Sequence, residues 1–214
     1  VVEIKIDFKI TQSGFANVLF LRGANNKYPV TVAVQNGELI VNENNTWLYE
    51  TPALGNTRTR LVADMQYTLR AIVDFDGQRI YLYLSGESIV ADGADGGVGE
   101  PVAFGENIYL MNIDFRENGA EALAYRMGSD NTTTQFTVYG ISIAQVAQSA
   151  QEAVKTIWQP DLTAQPADAI VTQGEGGTVT FDEGGVHFNA VGTKGIYFDK
   201  QFDFAMNGIV ITDV

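Results

Sequence analysis

Alternating acidic residues on one strand are the first feature of this sequence that could do chemistry. Glu3 and Asp7 lie in residues 2–10, where apolar and polar residues alternate, so both side chains project from one face of a strand. Two carboxylates about 5 Å apart can act as the acid and the nucleophile of a glycoside hydrolase. Here Lys5 lies between them, and the spacing corresponds to about 13 Å along a strand. We therefore favour a solvated strand face over a catalytic pair.

The single histidine, His187, is the next candidate for catalysis. A Ser-His-Asp triad could be built on it, whereas a zinc site of several histidines could not. With Tyr197 it could also supply the base and the acid of a polysaccharide lyase. Nothing in the sequence connects the two residues, so we favour a structural or surface histidine. Enzymatic activity stays open, and a non-catalytic role is the favoured interpretation.

An aromatic pair in polar surroundings is the best candidate for ligand binding. Trp47 and Tyr49 alternate in an asparagine-rich segment, which places both rings on one strand face about 7 Å apart. Sugars pack their C–H faces on exposed aromatic rings, while polar neighbours bind their hydroxyls. The alternative is that both rings belong to the core and that Leu48 faces outward. The polar residues nearby in sequence are Asn42, Asn44, Arg58 and Arg60.

A glycine-rich loop is the candidate for a metal site. Residues 92–99 read DGADGGVG, and Asp92 and Asp95 supply two carboxylates. Ca²⁺ prefers oxygen ligands, but the loop lacks the further ligands and the distal glutamate of an EF-hand. Asp182 and Glu183, in a second glycine-rich turn, are another candidate pair. A plain solvated loop is favoured, with a structural calcium ion at Asp92 and Asp95 as the alternative.

Composition and charge exclude several classes of protein. The 214 residues carry 26 acidic and 13 basic side chains, a formal charge of −13. This balance argues against nucleic acid and against anionic membrane surfaces as partners. There is no cysteine, so disulfides and thiolate sites are excluded. No apolar stretch is long enough to be inserted in a membrane as a helix.

Two hairpins can be predicted together with their register. Asn36-Gly37 indicates a type I′ turn, with Val34 opposite Leu39 and Val32 opposite Val41. Asp76-Gly77 indicates a second hairpin, because one register matches both of its faces. The predicted pairs are Val73 with Ile80, Ala71 with Leu82 and Leu69 with Leu84 on one face, and Asp74 with Arg79, Ile72 with Tyr81 and Arg70 with Tyr83 on the other.

The chain divides into three segments. Residues 1–143 show seven or eight strands separated by turn signals, the pattern of a main β-sandwich. Residues 144–169 are predicted as a helix near 144–156 followed by a proline-containing connector. The β pattern resumes in residues 170–214, and a segment of this length needs another surface to pack on.

Several segments resemble concanavalin A-like lectin and glucanase domains, especially the laminin G-like group. They are the hairpin YTLRAIVDF and RIYLYLSGE at residues 67–75 and 79–87, the strand at 2–10, and FTVYGISI at 136–143. The resemblance implies an all-β fold, a two-sheet antiparallel β-sandwich of the jelly-roll type. Such folds are found in sugar binders, peptide binders and hydrolases alike.

The last segment is similar to the opening of such a domain, the part that normally precedes the strand at 2–10. Residues 170–214 would then complete the same sandwich, as in a circular permutation or in one period of a tandem array. The alternative is that they begin a second, similar domain.

The function implied by the resemblance is a non-catalytic carbohydrate-binding module of a bacterial polysaccharide-processing protein. Its partner would be a polysaccharide or oligosaccharide, and it would be extracellular or on the bacterial cell surface. The alternative is a structural or adhesive repeat that packs against neighbouring domains, copies of itself or a host protein.

Overall fold

The protein, seen here in a computed structural model, consists of β-strands joined by turns, with no helix among the residues that it describes. In that part of the chain, accordingly, no helix is long and apolar enough to span a membrane. The structure describes residues 1–22, 30–43, 46–48, 50–51, 57–74, 77–91, 101–114, 123–129, 133–146, 155–191, 196–202, 204–205 and 208–209.

Sheet A is built from strands of both halves of the chain. Its strands are β1 (Val2–Ser13), β8 (Gln66–Asp74), β9 (Arg79–Gly86), β12 (Ile108–Asp114), β14 (Thr134–Gln145), β15 (Lys155–Trp158), β17 (Thr178–Asp182) and β18 (Gly185–Ala190). They are ordered β12-β9-β8-β1-β14-β18-β17, and β15 also pairs with β14. All of these pairings are antiparallel.

Sheet B is the larger sheet. Its strands are β2 (Ala16–Arg22), β3 (Val30–Gln35), β4 (Glu38–Glu43), β5 (Thr46–Leu48), β6 (Glu50–Thr51), β7 (Thr57–Leu61), β10 (Ser88–Ala91), β11 (Pro101–Ala103), β13 (Leu123–Ser129), β16 (Ile170–Thr172) and β19 (Ile196–Phe202). Their order is β11-β10-β7-β4-β3-β2-β13-β19-β16, with β5 beside β4 and β6 beside β7. A separate short ladder joins β20 (Phe204–Ala205) and β21 (Gly208–Ile209).

A hydrophobic core lies between the two sheets. Phe8 and Leu69 of sheet A and Val32 of sheet B are fully buried in it. Across the interface, the ring of Phe181 in β17 lies 6.1 Å from that of Phe198 in β19, centroid to centroid. The all-β, two-sheet antiparallel sandwich predicted from the sequence is therefore confirmed.

Both predicted hairpins are present in the predicted register. Asn36 and Gly37 have φ angles of 50° and 85°, as a type I′ turn requires. The second turn differs in detail, because its positive φ falls at Gln78 (52°) and not at Gly77. Asp74 closes this turn by accepting a hydrogen bond from the amide of Gly77 at 3.0 Å. Asp76 lies outside the described residues.

The helix predicted near residues 144–156 is wrong where the structure describes that segment. Ala144 and Gln145 end β14 and pair with Thr156 and Lys155 of β15, while residues 147–154 lie outside the described ranges. Alanine and glutamine favour helix, but this preference is weak enough for sheet pairing to override.

Four strands that follow residue 169, β16 to β19, belong to the two sheets built by the earlier strands. In sheet A, β18 pairs with β14, and in sheet B, β19 pairs with β13. We propose that residues 170–214 complete the same sandwich as residues 1–143, and this pairing supports the proposal as far as residue 202.

Tyr67 is a buried polar group at the start of β8. Its hydroxyl donates a hydrogen bond to the carbonyl of Ser88 at 2.6 Å and accepts one from the amide of Val62 at 2.8 Å. Its ring packs against Phe8, with 5.9 Å between centroids. Burial raises the pKa of Tyr67, and the hydrogen bond from Val62 offsets only part of that effect. The hydroxyl therefore ties β8 to the segments on either side of it.

We expect Tyr67→Phe to lower the free energy of unfolding by about 1–3 kcal/mol, because a buried amide and a buried carbonyl lose their partner. Urea denaturation measures the change. The control is Tyr81→Phe, on the outer face of the neighbouring strand, with an expected effect below about 0.5 kcal/mol. Equal effects of the two substitutions would contradict this role of Tyr67.

Candidate functional site

Trp47 lies on the side of sheet B that faces away from the core. It is the register partner of Asn42, so the two side chains share a face, whereas the adjacent Leu48 packs against the core. The Trp47 ring is partly buried and meets the ring of Phe15 edge to face at 5.5 Å. Trp47 is thus held by neighbouring side chains without belonging to the core.

The outer face of sheet B around Asn42 is mostly covered. Thr31, Ala33 and Ile40 point away from the core by strand alternation, yet they are 3 %, 0 % and 1 % exposed. Asn42 itself is 8 % exposed. A ligand on this face would therefore meet the partly exposed Trp47 ring rather than a broad open platform.

The two predicted arginines lie together on β7. Arg58 and Arg60 both pair with Glu38, at 3.3 and 2.9 Å, and the Arg58 side chain stays 52 % exposed. Glu38 is four residues from Asn42 on the same face of β4, about 13 Å away. The structure therefore brings Trp47 to Asn42, and Arg58 to Arg60, as two neighbouring groups. Tyr49 and Asn44 lie outside the described residues.

Of the two candidate metal sites, the structure describes only the turn with Asp182 and Glu183. Asp92 and Asp95 lie outside the described residues. Asp182 accepts hydrogen bonds from the amide of Gly184 at 2.7 Å and contacts Nε2 of His187 at 2.8 Å. The hydrogen bond with His187 is the main cause that lowers the pKa of Asp182. Within the described ranges, no group of three or more acidic or histidine side chains could hold a metal ion.

His187 and Tyr197 do not form a common site. His187 lies between buried Val186 and Phe188 on β18, so it projects outward from sheet A, and its Nδ1 lies 3.0 Å from Oγ1 of Thr137. Tyr197 alternates with core residues of β19 in the opposite sheet. The two side chains therefore point away from opposite faces of the sandwich.

Glu3 and Asp7 each have a partner of their own on the outer face of sheet A. Glu3 forms ion pairs with Lys5 at 3.0 Å and with Arg70, and Asp7 accepts a hydrogen bond from Thr68 at 2.5 Å. Burial raises the pKa of Glu3, but the hydrogen bonds from Lys5 and Arg70 outweigh it and bring the pKa below its usual value. Glu3 is thus an ionised structural partner of Arg70.

Tyrosines extend this outer face toward the edge of sheet A. The rings of Tyr83 and Tyr109 meet at 5.6 Å, and the Arg70 guanidinium lies 5.3 Å from the Tyr83 ring. Tyr109 is 38 % exposed. Sequence alternation already paired Arg70 with Tyr83 on the outer face, but it gave no indication that Tyr109 packs against Tyr83.

A cleft of 910 Å³ opens at one end of the same face, and we call it the sheet A cleft. Four adjacent strands contribute to it, through Asp7, Thr68, Ser85 and Tyr139. Three loops add Asp64, Glu87 and Glu106. Sequence reasoning missed this cleft, because its residues come from segments that no local pattern brings together.

A β-bulge places Tyr139 at the cleft. The register passes from Asp7 opposite Gly140 to Phe8 opposite Val138, which leaves Tyr139 as the extra residue. Bulges commonly redirect a side chain beside a functional site. A Cβ atom at Gly140 would lie 3.0 Å from Oδ2 of Asp7, so glycine lets the Asp7 carboxylate lie against the bulged strand.

Comparison with known proteins identifies no family for this chain. No family model and no curated protein matches it. Among solved structures it is similar to the alginate lyase AlgAT5 from Polysaccharide Lyase family 7, with a TM-score of 0.31 and 12 % identity. The match covers 53 % of this chain and 45 % of that one, so this chain spans less than half of the enzyme's length. A similarity this distant does not assign a ligand or an activity.

Because ionised Glu3 forms ion pairs with Lys5 and Arg70, we predict that the stability of the protein depends on pH. We expect the wild type to be more stable than Glu3→Gln by about 1 kcal/mol at pH 7. The pKa of Glu3 is lower in the folded state than its usual value of 4.5. The advantage of the wild type is therefore fully present above pH 4.5, and it is lost as the pH falls through the pKa of Glu3 in the folded protein. Urea denaturation at pH 7 and pH 3 measures it, with Glu175→Gln in an exposed turn as the control. The same difference at both pH values would contradict the assignment.

Proposed function

We propose that this protein is a non-catalytic carbohydrate-binding module, extracellular or on a bacterial cell surface, whose partner is a polysaccharide or oligosaccharide. The observation that carries the proposal is the position of Trp47, a partly exposed indole on the outer face of sheet B. An aromatic ring that is already held in place loses little entropy when a sugar packs on it.

The polar residues around Trp47 suit the hydroxyls of a sugar. Asn42, the register partner of Trp47, carries a carbonyl acceptor and an amide donor, and a sugar hydroxyl would meet the edge of this side chain that is exposed beside the indole. Arg58 and Arg60 lie beside one another at Glu38, and the Arg58 side chain is 52 % exposed, so a sugar hydroxyl can reach its guanidinium. We propose that Trp47 and Asn42 bind one sugar unit and that the arginines contact a more distant one. Tyr49 and Asn44 belong to the same proposed surface.

A structural or adhesive repeat is the second candidate function. It is favoured by β11 and β16, which lie at the two edges of sheet B as the structure describes it. Val102 on β11 is 48 % exposed and Ile170 on β16 is 58 % exposed. Edge strands with exposed apolar side chains can pair with strands of other molecules. Copies of this chain, or a host protein, would be the partners.

Calcium is the one cofactor that we propose, with Asp92 and Asp95 as ligands. If the ion binds the native state, EDTA lowers the melting temperature by about 5 °C or more and added Ca²⁺ restores it, by mass action. The paired variant Asp92→Asn with Asp95→Asn should melt at the same temperature with and without EDTA. If EDTA leaves the melting temperature of the wild type unchanged, the proposed calcium site is refuted.

We expect Trp47→Ala to weaken retardation of the protein in polysaccharide-containing native gels about tenfold or more, since one sugar platform is lost. It should also abolish the change in tryptophan fluorescence when a soluble glycan is added. The cost in unfolding free energy should be about 1–2 kcal/mol, below the 3–5 kcal/mol of a fully buried large aromatic.

The matched control is Leu48→Ala, the neighbouring residue that packs against the core. It should lower the unfolding free energy by about 2 kcal/mol and leave the retardation unchanged. Full retardation of Trp47→Ala would contradict the proposed surface. If no glycan retards the wild type and its mass in light scattering rises with concentration, the structural-repeat function is favoured instead.

A further inference from the structure

We infer that the sheet A cleft is a second carbohydrate site, which binds an uncharged oligosaccharide. It goes beyond the function proposed above, because the cleft lies on the outer face of the other sheet from Trp47. The shape of the cleft, its hydrogen-bonding groups and its charge each support this inference.

The walls of the cleft are fixed before any ligand arrives. The amide of Gly86 donates to the carbonyl of Gly105 at 3.1 Å, and the amide of Phe104 donates to the carbonyl of Glu87 at 2.9 Å. In the loop before β8, Asp64 accepts a hydrogen bond from Thr11 at 2.7 Å. A cleft held in this way requires little ordering on binding, which favours affinity.

The cleft offers mainly acceptors, and Tyr139 is the one aromatic residue of its lining that is not buried. Asp7, Asp64, Glu87 and Glu106 are acceptors when ionised, and sugar hydroxyls are donors. Tyr139 adds a ring whose hydroxyl makes no hydrogen bond to any residue that the structure describes. A polyhydroxylated ligand matches this lining, whereas an apolar ligand would leave the carboxylates without partners.

Charge decides among the classes of glycan. Within the described ranges, none of the four carboxylates forms an ion pair with a lysine or arginine. Lys9 is close, with its Nζ 6.0 Å from the centre of the Tyr139 ring, but one cation does not balance four anions. A polyuronate would meet like charges at several points, which costs binding energy. The cleft therefore selects against acidic polysaccharides.

The tyrosines beyond the cleft extend the surface for a longer chain. Tyr83 lies two residues from Ser85 on β9, about 7 Å along the strand, and Tyr109 lies beside Tyr83. An oligosaccharide that occupies the cleft can continue over these rings. Its length, rather than one sugar unit, would then contribute to affinity.

Calorimetric titration with cello-, xylo-, manno- and laminarihexaose tests the inference, with hexagalacturonate as the acidic probe. At least one neutral hexasaccharide should bind at two sites per chain in the wild type and at one site in Trp47→Ala. Adding Tyr139→Ala to Trp47→Ala should weaken that remaining site about tenfold or more. Tyr139→Phe, which keeps the ring at the bulge, should cause a smaller loss and protects the test against misfolding.

The matched control is Tyr81→Ala, on the same outer face but outside the cleft lining, which should leave both sites intact. Asp64→Asn combined with Glu106→Gln should improve hexagalacturonate binding about tenfold if charge causes the selectivity.

The inference is overturned if the wild type binds hexagalacturonate as well as the neutral probes, or if no neutral probe binds at millimolar concentration. If the wild type has a single site and Trp47→Ala removes it, the inference is overturned and the proposed function stands. If the wild type has a single site that Tyr139→Ala removes and Trp47→Ala does not, the cleft is supported and the Trp47 surface is refuted.

Discussion

The central position of β1 in sheet A is the constraint on which the rest of the structure depends. This strand pairs with β8 on one side and with β14 on the other, and β14 continues the sheet into β18. Its alternation places Ile6 and Phe8 in the core and Asp7 on the outer face. A slip by one residue would exchange the two sets, so burial of the core fixes which groups reach the outer surface.

Both proposed sites follow from this arrangement of two sheets. The outer face of sheet A carries the cleft, and the bulge in β14 adds Tyr139 to it without disturbing the core residue Val138 on the other side. The outer face of sheet B carries Trp47. Two sites on opposite faces would let one molecule bridge two glycan chains, and bridging raises the overall affinity for a polysaccharide without any further contact.

Local patterns predicted the parts of this fold that depend on neighbouring residues in the chain. The register of the hairpin that pairs Arg70 with Tyr83 followed from matching both faces of two adjacent strands. Trp47 stayed ambiguous, because Trp47 and Leu48 are both hydrophobic and alternation alone cannot decide which of them faces the core. The cleft was not predicted, since Asp7, Asp64, Glu87 and Tyr139 meet through long-range pairing and loop positions. At the two ends of the predicted helix, Gln145 and Lys155 pair as strand residues, because composition is a weaker influence than an available strand partner.

The most direct test is an NMR titration of the ¹⁵N-labelled protein with a neutral hexasaccharide, observed at the side-chain N–H groups of the two tryptophans. Trp158 is an internal reference, because its Nε1 donates to Asp168 at 3.1 Å and lies in neither proposed site. We predict that the signals of the Trp47 indole and of the backbone amide of Tyr139 move as the sugar binds, while the Trp158 indole signal stays in place. Signals that do not move, or a shift confined to Trp158, would contradict carbohydrate binding at these surfaces.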